Sequence, residues 1–450
     1  MNDLTSGPLT GHLLKTMGYM LVTMIFQTLY FLVDLYWVGR LGTESVAGVA
    51  IAGNLTFIVL ALTQMLGVGT TTVVSHAIGR KDPALARLLF NQSQVLAILT
   101  GVLFFIVGMS LNVWYSNSMT ADPVTAGLAA DYLRWFIPAM ALQFAMVAMG
   151  AALRGTGNFK PGMIVSTVSV LVNIALAPFL IFGWGPFDAY GVAGAAAASF
   201  IAVVVAVAWL TFYFVGKETV LHFNFSQWRP QFATWRRMLA IGLPAGFEFA
   251  MMAVYLVIVH SVIQRFGASA QAGFGIGQRV IQAGFMPVVA LGFAVAPVAG
   301  QNFGAGFGDR VRATFRDATL MAIGMMLLLV LIVHAAPAAL VGVFTNDPAV
   351  VAVGVEYLRI ISWNFIASGV IFVTSSMFQA MGNTIPSLIA SGVRILVVAI
   401  PLWYMARMPG FELRWIWWLA MAAVFVQLGL ALALLRREFR RRLSSLAVAA

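Results

Sequence analysis

The sequence predicts an all-α integral membrane protein, with twelve transmembrane helices arranged as two pseudo-symmetric six-helix lobes. Three observations predict it. Of the 450 residues, 61% are hydrophobic and only 9% are charged, whereas a soluble domain carries about 25% charged residues. The apolar residues gather into twelve runs long enough to cross a bilayer. The chain also repeats on itself at an offset of 225 residues, half its length.

The runs cover 12–38, 46–78, 89–112, 124–153, 161–183, 190–215, 238–264, 271–303, 311–335, 349–380, 385–406 and 414–435. Each is expected to be helical, because hydrocarbon offers the backbone no hydrogen-bond partner. The longest less apolar stretch, "GKETVLHFNFSQWRPQFATWRR" at 216–237, falls at the midpoint. The expected division is therefore an N-lobe over 1–215, a cytoplasmic linker over 216–237, a C-lobe over 238–435 and a basic cytoplasmic tail over 436–450.

Basic residues orient the set. With the N-terminus in the cytoplasm, eighteen Lys and Arg fall at cytoplasmic ends and four, Arg40, Arg265, Arg407 and Arg414, at the other side. The positive-inside rule then puts both termini in the cytoplasm. The net charge of +11 is spread over short loops and the tail, so it reads as topology and implies no nucleic-acid partner. The start of the chain lacks the short apolar core and small-residue cleavage site of a signal peptide, so it is expected to be retained. With no cysteine, disulfides and thiolate metal sites are excluded.

The repeat is visible in three places. "GRLGTESVAG" (39–48) aligns with "QRFGASAQAG" (264–273), "ADPVTAGLAADYLR" (121–134) with "NDPAVVAVGVEYLR" (346–359), and "RGTGNFKP" (154–161) with "QAMGNTIP" (379–386). Six spans per half make the repeats parallel, related by an axis along the membrane normal. Two such lobes facing a central cavity form a transporter architecture; a duplicated structural protein is the alternative. The intramembrane polar residues do not follow the repeat. Asp34 aligns with Val259, Glu248 with Thr23, Asn54 with Arg279 and Asn173 with Val398.

Asp34, in "FLVDLYWVGRLG", is the leading site candidate. A carboxylate at mid-membrane costs about 2.5–3.5 kcal/mol on insertion scales, so it should face a cavity or a partner and can carry a proton or cation. The bland alternative is a structural hydrogen bond near the end of the span. Gln27 lies two turns earlier on the same face and is placed in the same cavity. Glu248, one turn after Pro244, is the second carboxylate; its alternative role is a buried ion pair with Arg279 or Arg394. Asn173 either lines the cavity or joins helices. Arg279 is a further cavity candidate, although Arg279 and Arg394 can equally be structural counter-ions. His260 and His334 show no ligand spacing and are expected to pack. The pairs Asp131/Arg134 and Glu356/Arg359, present in both halves at i,i+3 spacing, are expected to be scaffold. The 23 Met and 34 Phe suit an adaptable, cation-accepting pocket, but most must face lipid. There is no P-loop, no G-x-S-x-G and no H-E-x-x-H. The chain is not expected to be an enzyme or to hold a cofactor, and transport would have to run on an ion gradient.

"VDLYWVGRLG" on the first span, "VAGQNFGAG" (298–306) ending the eighth, "RGTGN" after the fourth and the six-plus-six repeat resemble the multidrug and toxin extrusion (MATE) transporters of the NorM/DinF-like branch. The resemblance covers essentially the whole chain. It implies an antiporter that exchanges protons or sodium for organic, often cationic, drugs. On this resemblance Asp34 matches the first-span acid, Gln27 keeps its spacing to it, Asn173 matches a polar position on span 5 and Glu248 the span-7 glutamate. The chain departs from some members at Ala177, where they carry a second acid, at Ser368, the position counted for a span-10 acid, and at Tyr19, where they bend span 1 at a proline.

The expected function is export of organic, mainly cationic or lipophilic drugs in exchange for protons, with sodium at Glu248 as the alternative coupling ion. A monomer in the bacterial cytoplasmic membrane is the expected setting, with the bilayer and small organic cations as partners. The competing readings are a lipid-linked precursor flippase, which would have a more basic cavity, and a membrane scaffold or receptor without turnover.

Overall fold

Every long element among the described residues is a helix. The computed structural model describes residues 2–216 and 220–448, with side chains as far as Leu443; Met1, residues 217–219 of the expected linker (Lys217 among them) and 449–450 of the expected tail lie outside the described residues. The helices are α1 (Leu9–Gly39), α2 (Thr43–Gly53), α3 (Thr56–Gly79), α4 (Pro83–Met119), α5 (Pro123–Gly155), α6 (Lys160–Phe182) and α7 (Val192–Gly216) in the first half. The second half has α8 (Phe232–Ile263), α9 (Ala268–Gly304), α10 (Gly308–Ala335), α11 (Pro337–Gly342), α12 (Pro348–Ile361), α13 (Phe365–Ala380), α14 (Ile385–Met405) and α15 (Leu413–Val448). Among the described residues twelve helical segments are long and apolar enough to cross a membrane, with α2–α3 and α12–α13 each forming one of them. The second of the twelve breaks at Asn54, where Tyr115 from α4 donates to the Ile51 carbonyl at 2.9 Å. The tenth breaks at a 3₁₀ turn over Ser362–Asn364.

The helices overrun the apolar runs that signal them. α4 has 37 residues, about 55 Å at 1.5 Å per residue, against a hydrocarbon core of about 30 Å. Its start is set by capping. Asp82 accepts from the Leu85 N–H at 2.9 Å with Pro83 at the first helical position. The same Asp-Pro device opens α5 and α12, where Asp122 accepts from Thr125 N–H at 3.0 Å and Asp347 from Ala349 N–H at 2.9 Å. Hydrogen bonds from the Thr125 hydroxyl, and then from the backbone N–H groups of Thr125 and Val124, hold the exposed Asp122 carboxyl below its ordinary range. Asp122 and Asp347 are 225 apart, so the internal repeat extends to the caps.

The chain forms two compact units, residues 1–3 with 19–246 and residues 4–18 with 247–450. These bounds differ from those expected for the lobes, because the chain passes between units inside α1 and inside α8. In the second unit Leu4, Leu9 and Leu13 lie buried in the same apolar cluster as α9, α10 and α13. Leu4 N–H donates to Gln301 at 3.1 Å, and Asn302 donates to the Leu4 carbonyl at 3.0 Å. In the first unit the start of α8 lies against α3 through Gly242 and Gly246. A Cβ on Gly242 would sit 2.0 Å from the Met65 carbonyl oxygen, and one on Gly246 would sit 2.6 Å from that of Ala61. This is the small-xxx-small spacing by which membrane helices approach backbone to backbone.

The expected linker is ordered where it is described, and from Phe232 it is already α8. Two fully buried amides on α4 hold it. Asn91 donates to the His222 carbonyl at 3.1 Å and accepts from Asn224 N–H and Trp228 Nε1, both at 2.9 Å. Gln92 donates to the Gln227 and Arg229 carbonyls and accepts from Gln231 N–H at 3.0 Å. The expected tail is likewise helical, as the end of α15. Buried Glu438 pairs with Arg442 and accepts from Asn383 at 3.0 Å, while Arg442 donates to the Met381 carbonyl at 2.7 Å.

The sequence-expected ion pair Asp131–Arg134 forms at 3.5 Å. Its counterpart in the second half does not: Glu356 lies 3.5 Å from Arg414 of α15, and Arg359 is exposed. An i,i+3 pair is worth only a few tenths of a kcal/mol, so a neighbouring helix readily supplies the better partner.

Replacing Asn91 with Leu leaves the His222 carbonyl, the Asn224 N–H and the Trp228 Nε1–H without this partner. The expected cost is about 1–3 kcal/mol, read as a lower Tm in detergent together with faster chymotryptic cleavage after the exposed Phe225. An unchanged Tm and cleavage rate would show that the segment is held by something else.

Candidate functional site

In the first unit the site grows from one face of α1. Asp34 is 9% exposed, and its Oδ1 is buried with no hydrogen-bond partner. No cation lies within 4.0 Å of it among the described residues. Arg40, six residues on, turns instead onto the rings of Tyr36 and Trp37, at 4.9 and 5.5 Å. The structural hydrogen bond held as the alternative for Asp34 is not formed.

Tyr30, one turn before Asp34, lies within reach of its charge, as does buried Tyr132 of α5. The Tyr30 hydroxyl is 2.7 Å from Ser199 Oγ on α7. Ser199 also accepts from Asn173 Nδ2 at 3.0 Å and donates to the Ala195 carbonyl at 3.3 Å. With the Ser199 proton given to its own helix, Tyr30 is left to donate to Ser199, and its remaining lone pair is free to accept from a proton carried near Asp34. The structure thus links Asn173 of α6 (2% exposed) through Ser199 to Tyr30. Gln27 is exposed and stands outside this chain of hydrogen bonds. Ala177 is buried in the apolar cluster beside Leu180 and Ile181.

The second unit treats its carboxylate differently. Both oxygens of Glu248 are taken by serine hydroxyls. Ser387 of α14 lies 2.9 Å from each, Ser391 is 3.1 Å from Oε1, and Ser375 of α13 is 3.4 Å from Oε2. Gln427 of α15 donates to Ser391 at 3.2 Å, and its own Oε1 is buried without a partner. The ion pair with Arg279 or Arg394, held as the alternative for Glu248, is not formed among the described residues. Ser387 and Ser391 lie one turn apart on the α14 face that meets α8, and they bring donors that need no counter-charge. From the tenth span the residue that reaches Glu248 is Ser375, not Ser368.

Arg279 is exposed on α9 and makes no ion pair with the described residues. Arg394 lies over the Tyr255 ring at 4.7 Å, and its Nε is buried without an acceptor. Neither arginine is the counter-ion anticipated for it. His260 donates to the Leu256 carbonyl of its own helix and packs on Phe274, and His334 packs on Trp363. Among the described residues no three His, Asp or Glu gather as a metal cluster.

The family model described as MatE matches residues 20–179 and 244–405, one stretch in each half of the chain. The chain belongs to the MatE family. Members of that family are transporters, not enzymes. The chain is 25% identical over 394 residues to the probable multidrug resistance protein YoeA of Bacillus subtilis, covering 85% of this chain and 83% of that one. It is 24% identical over 377 residues to the probable multidrug resistance protein NorM of Thermotoga maritima, covering 84% and 81%. A solved MOP superfamily transporter from Pyrococcus furiosus, described as having a binding pocket of reversed polarity, shares the fold. The TM-score is 0.90 and the sequence identity 24%, over 99% of this chain and 98% of that one. The expected membrane fold and the expected family both stand.

Sequence reasoning missed Tyr30, Ser199 and the serines around Glu248. Tyr30 was one turn from Asp34 and could have been found by that spacing. Ser199 and Ser375 carry no such signal.

Glu248→Gln keeps an acceptor oxygen on one side and places an NH2 donor on the other, which a serine hydroxyl there can meet by turning to accept, so stability should change by less than about 1 kcal/mol in a denaturation series. A loss of about 3–5 kcal/mol, the cost of breaking a buried ion pair, would instead mean that an arginine neutralises Glu248.

Proposed function

We propose that this chain exports organic cations and lipophilic drugs in exchange for protons, with Asp34 as the shared carboxylate. The observation that carries this reading is the buried Asp34 with an unpartnered Oδ1 and no counter-ion. A carboxylate out of water and without a counter-charge is costly. A proton or a substrate cation relieves that cost, and one charge leaves no demand for the other. The two ligands therefore compete, and each lowers the affinity for the other by the same factor. A proton arriving from outside releases the drug, and loss of that proton to the cytoplasm restores the site. Tyr30, fixed by Ser199 and Asn173, is a neutral polar neighbour for either state. The relatives named as multidrug resistance proteins support drugs as the cargo.

A second reading has sodium as the coupling ion at Glu248. It is favoured by the oxygen set there: a carboxylate, three serine hydroxyls and the unpartnered Oε1 of Gln427. Hard cations take oxygen ligands.

Transport of rhodamine 123 in proteoliposomes, under separate pH and sodium gradients, tests both. The pH gradient should drive flux, and Asp34→Asn should lower it about tenfold or more. Export by Asp34→Asn at the wild-type rate would falsify the proton reading. Flux driven by sodium alone and lost in Glu248→Gln would establish the second.

The setting proposed is a monomer in the cytoplasmic membrane with cytoplasmic termini, supported by the basic bias of the loops. The chain has no cysteine, so a single one can be placed at exposed Ser226 in the segment before α8. An impermeant maleimide should label it in inverted vesicles but not in intact cells. The opposite pattern would reverse the topology.

A further inference from the structure

α8 and α14 meet through side chains at two levels. At one, Glu248 of α8 takes the hydroxyls of Ser387 and Ser391. Two turns further on, Tyr255 of α8 carries the guanidinium of Arg394 on its ring at 4.7 Å. Met251 packs between the levels, 3.7 Å from the position of a Cβ on Gly392. Seven helical residues separate Glu248 from Tyr255, about 10 Å of rise.

Arg394 sits at the middle of a membrane-crossing helix, where a guanidinium is normally paired. Here it has the Tyr255 ring beneath it. It makes no ion pair and no hydrogen bond with the described residues, and its Nε is buried without an acceptor. The nearby carboxylate is fully occupied by serines. Tyr357 of α12, which also feels the Arg394 charge, is fixed by a 2.8 Å hydrogen bond from Gln278. The result is a half-buried fork of N–H donors backed by an aromatic face, with a second phenol close by. Such a fork matches the planar oxygens of a carboxylate or phosphate.

We propose that Arg394, seated on Tyr255, is an anion-recognition point that takes the carboxylate or phosphate of an amphiphilic ligand. This deepens the transport reading and rests on it, since it assigns an acidic group to part of the cargo.

Two dyes with one ring system test it: rhodamine 110, a free carboxylic acid, and rhodamine 123, its methyl ester. Binding to the full chain in detergent is measured by fluorescence polarisation for wild type, Arg394→Gln and Arg394→Lys. Arg394→Gln should weaken rhodamine 110 by about tenfold or more, the worth of a charge-assisted hydrogen bond, and leave rhodamine 123 within about twofold. Arg394→Lys, which keeps the charge and loses the fork, should fall between. Equal weakening of both dyes, or of neither, overturns the proposal. If Arg394→Gln does not fold, Arg394→Lys and the wild type decide. A lysine variant with unchanged preference for the acid, or a wild type that binds the ester about tenfold more tightly, overturns it too.

Nanodiscs distinguish two sources of the acidic group. If rhodamine 110 discrimination persists when phosphatidylglycerol is added to phosphatidylcholine, the site takes a soluble ligand. If phosphatidylglycerol displaces the dye only when Arg394 is present, the anion is a lipid headgroup. Both outcomes keep the anion site. A wild type that binds both dyes yet moves neither across a bilayer removes the transport reading and leaves the anion site standing.

Discussion

Inside a bilayer a polar group can bond only to protein, to a ligand or to whatever water a cavity admits. That constraint arranges most of this molecule. It makes the crossings helical and sets aspartates at helix starts where N–H groups would otherwise be orphaned. It also explains why Tyr115 reaches the carbonyl exposed at the break in the second crossing. The buried amides Asn91 and Gln92 satisfy the segment between the halves, not a ligand. Against this background of satisfied groups, the exceptions carry meaning. Among the described residues the buried atoms without a partner include neutral ones of Trp37, Thr167, Trp235, Thr319 and Trp417, but those on ionisable groups are Asp34 Oδ1 and Arg394 Nε, and Gln427 Oε1 lies on the amide that bonds a serine partner of Glu248.

The two halves share a scaffold and differ in chemistry. The Asp-Pro caps recur at 122 and 347, and the glycine turns recur at 157 and 382, both with positive φ. The intramembrane groups do not recur. The first unit holds a lone acid beside two tyrosines, with Tyr30 anchored through Ser199 to Asn173. The second holds an acid already solvated by serines and an arginine solvated only by a ring. A duplicated scaffold gives two similar frames; sequence divergence within them leaves an unpaired carboxylate in one and an unpaired arginine in the other. The helices in which the chain changes units, α1 and α8, are also those that carry Asp34 and Glu248. In each, the residues that fasten the helix start to one unit precede the carboxylate held in the other.

Much of this was legible in the sequence. Twelve crossings, the repeat and the family follow from hydropathy, spacing and motif, because lipid imposes a strong one-dimensional signal on any chain that crosses it. Asp34 and Glu248 stood out for the same reason: a carboxylate in an apolar run is rare and costly. What hydropathy could not show is where helices end, since a capped helix continues past the bilayer, as α4 and α15 do.

The partners were decided only by tertiary structure. Charge suggested an arginine for Glu248, and helical spacing suggested Arg359 for Glu356; the fold supplied three serines for one and Arg414 for the other. Serine leaves little mark on a hydropathy profile, and it donates where a helix crossing happens to place it. The sequence alone determined a twice-repeated membrane protein of twelve crossings, resembling a transporter family, with one leading carboxylate candidate in each half, Asp34 and Glu248. Which acid is left without a partner, and which arginine is left without a counter-ion, depends on side chains brought together from helices far apart in the chain.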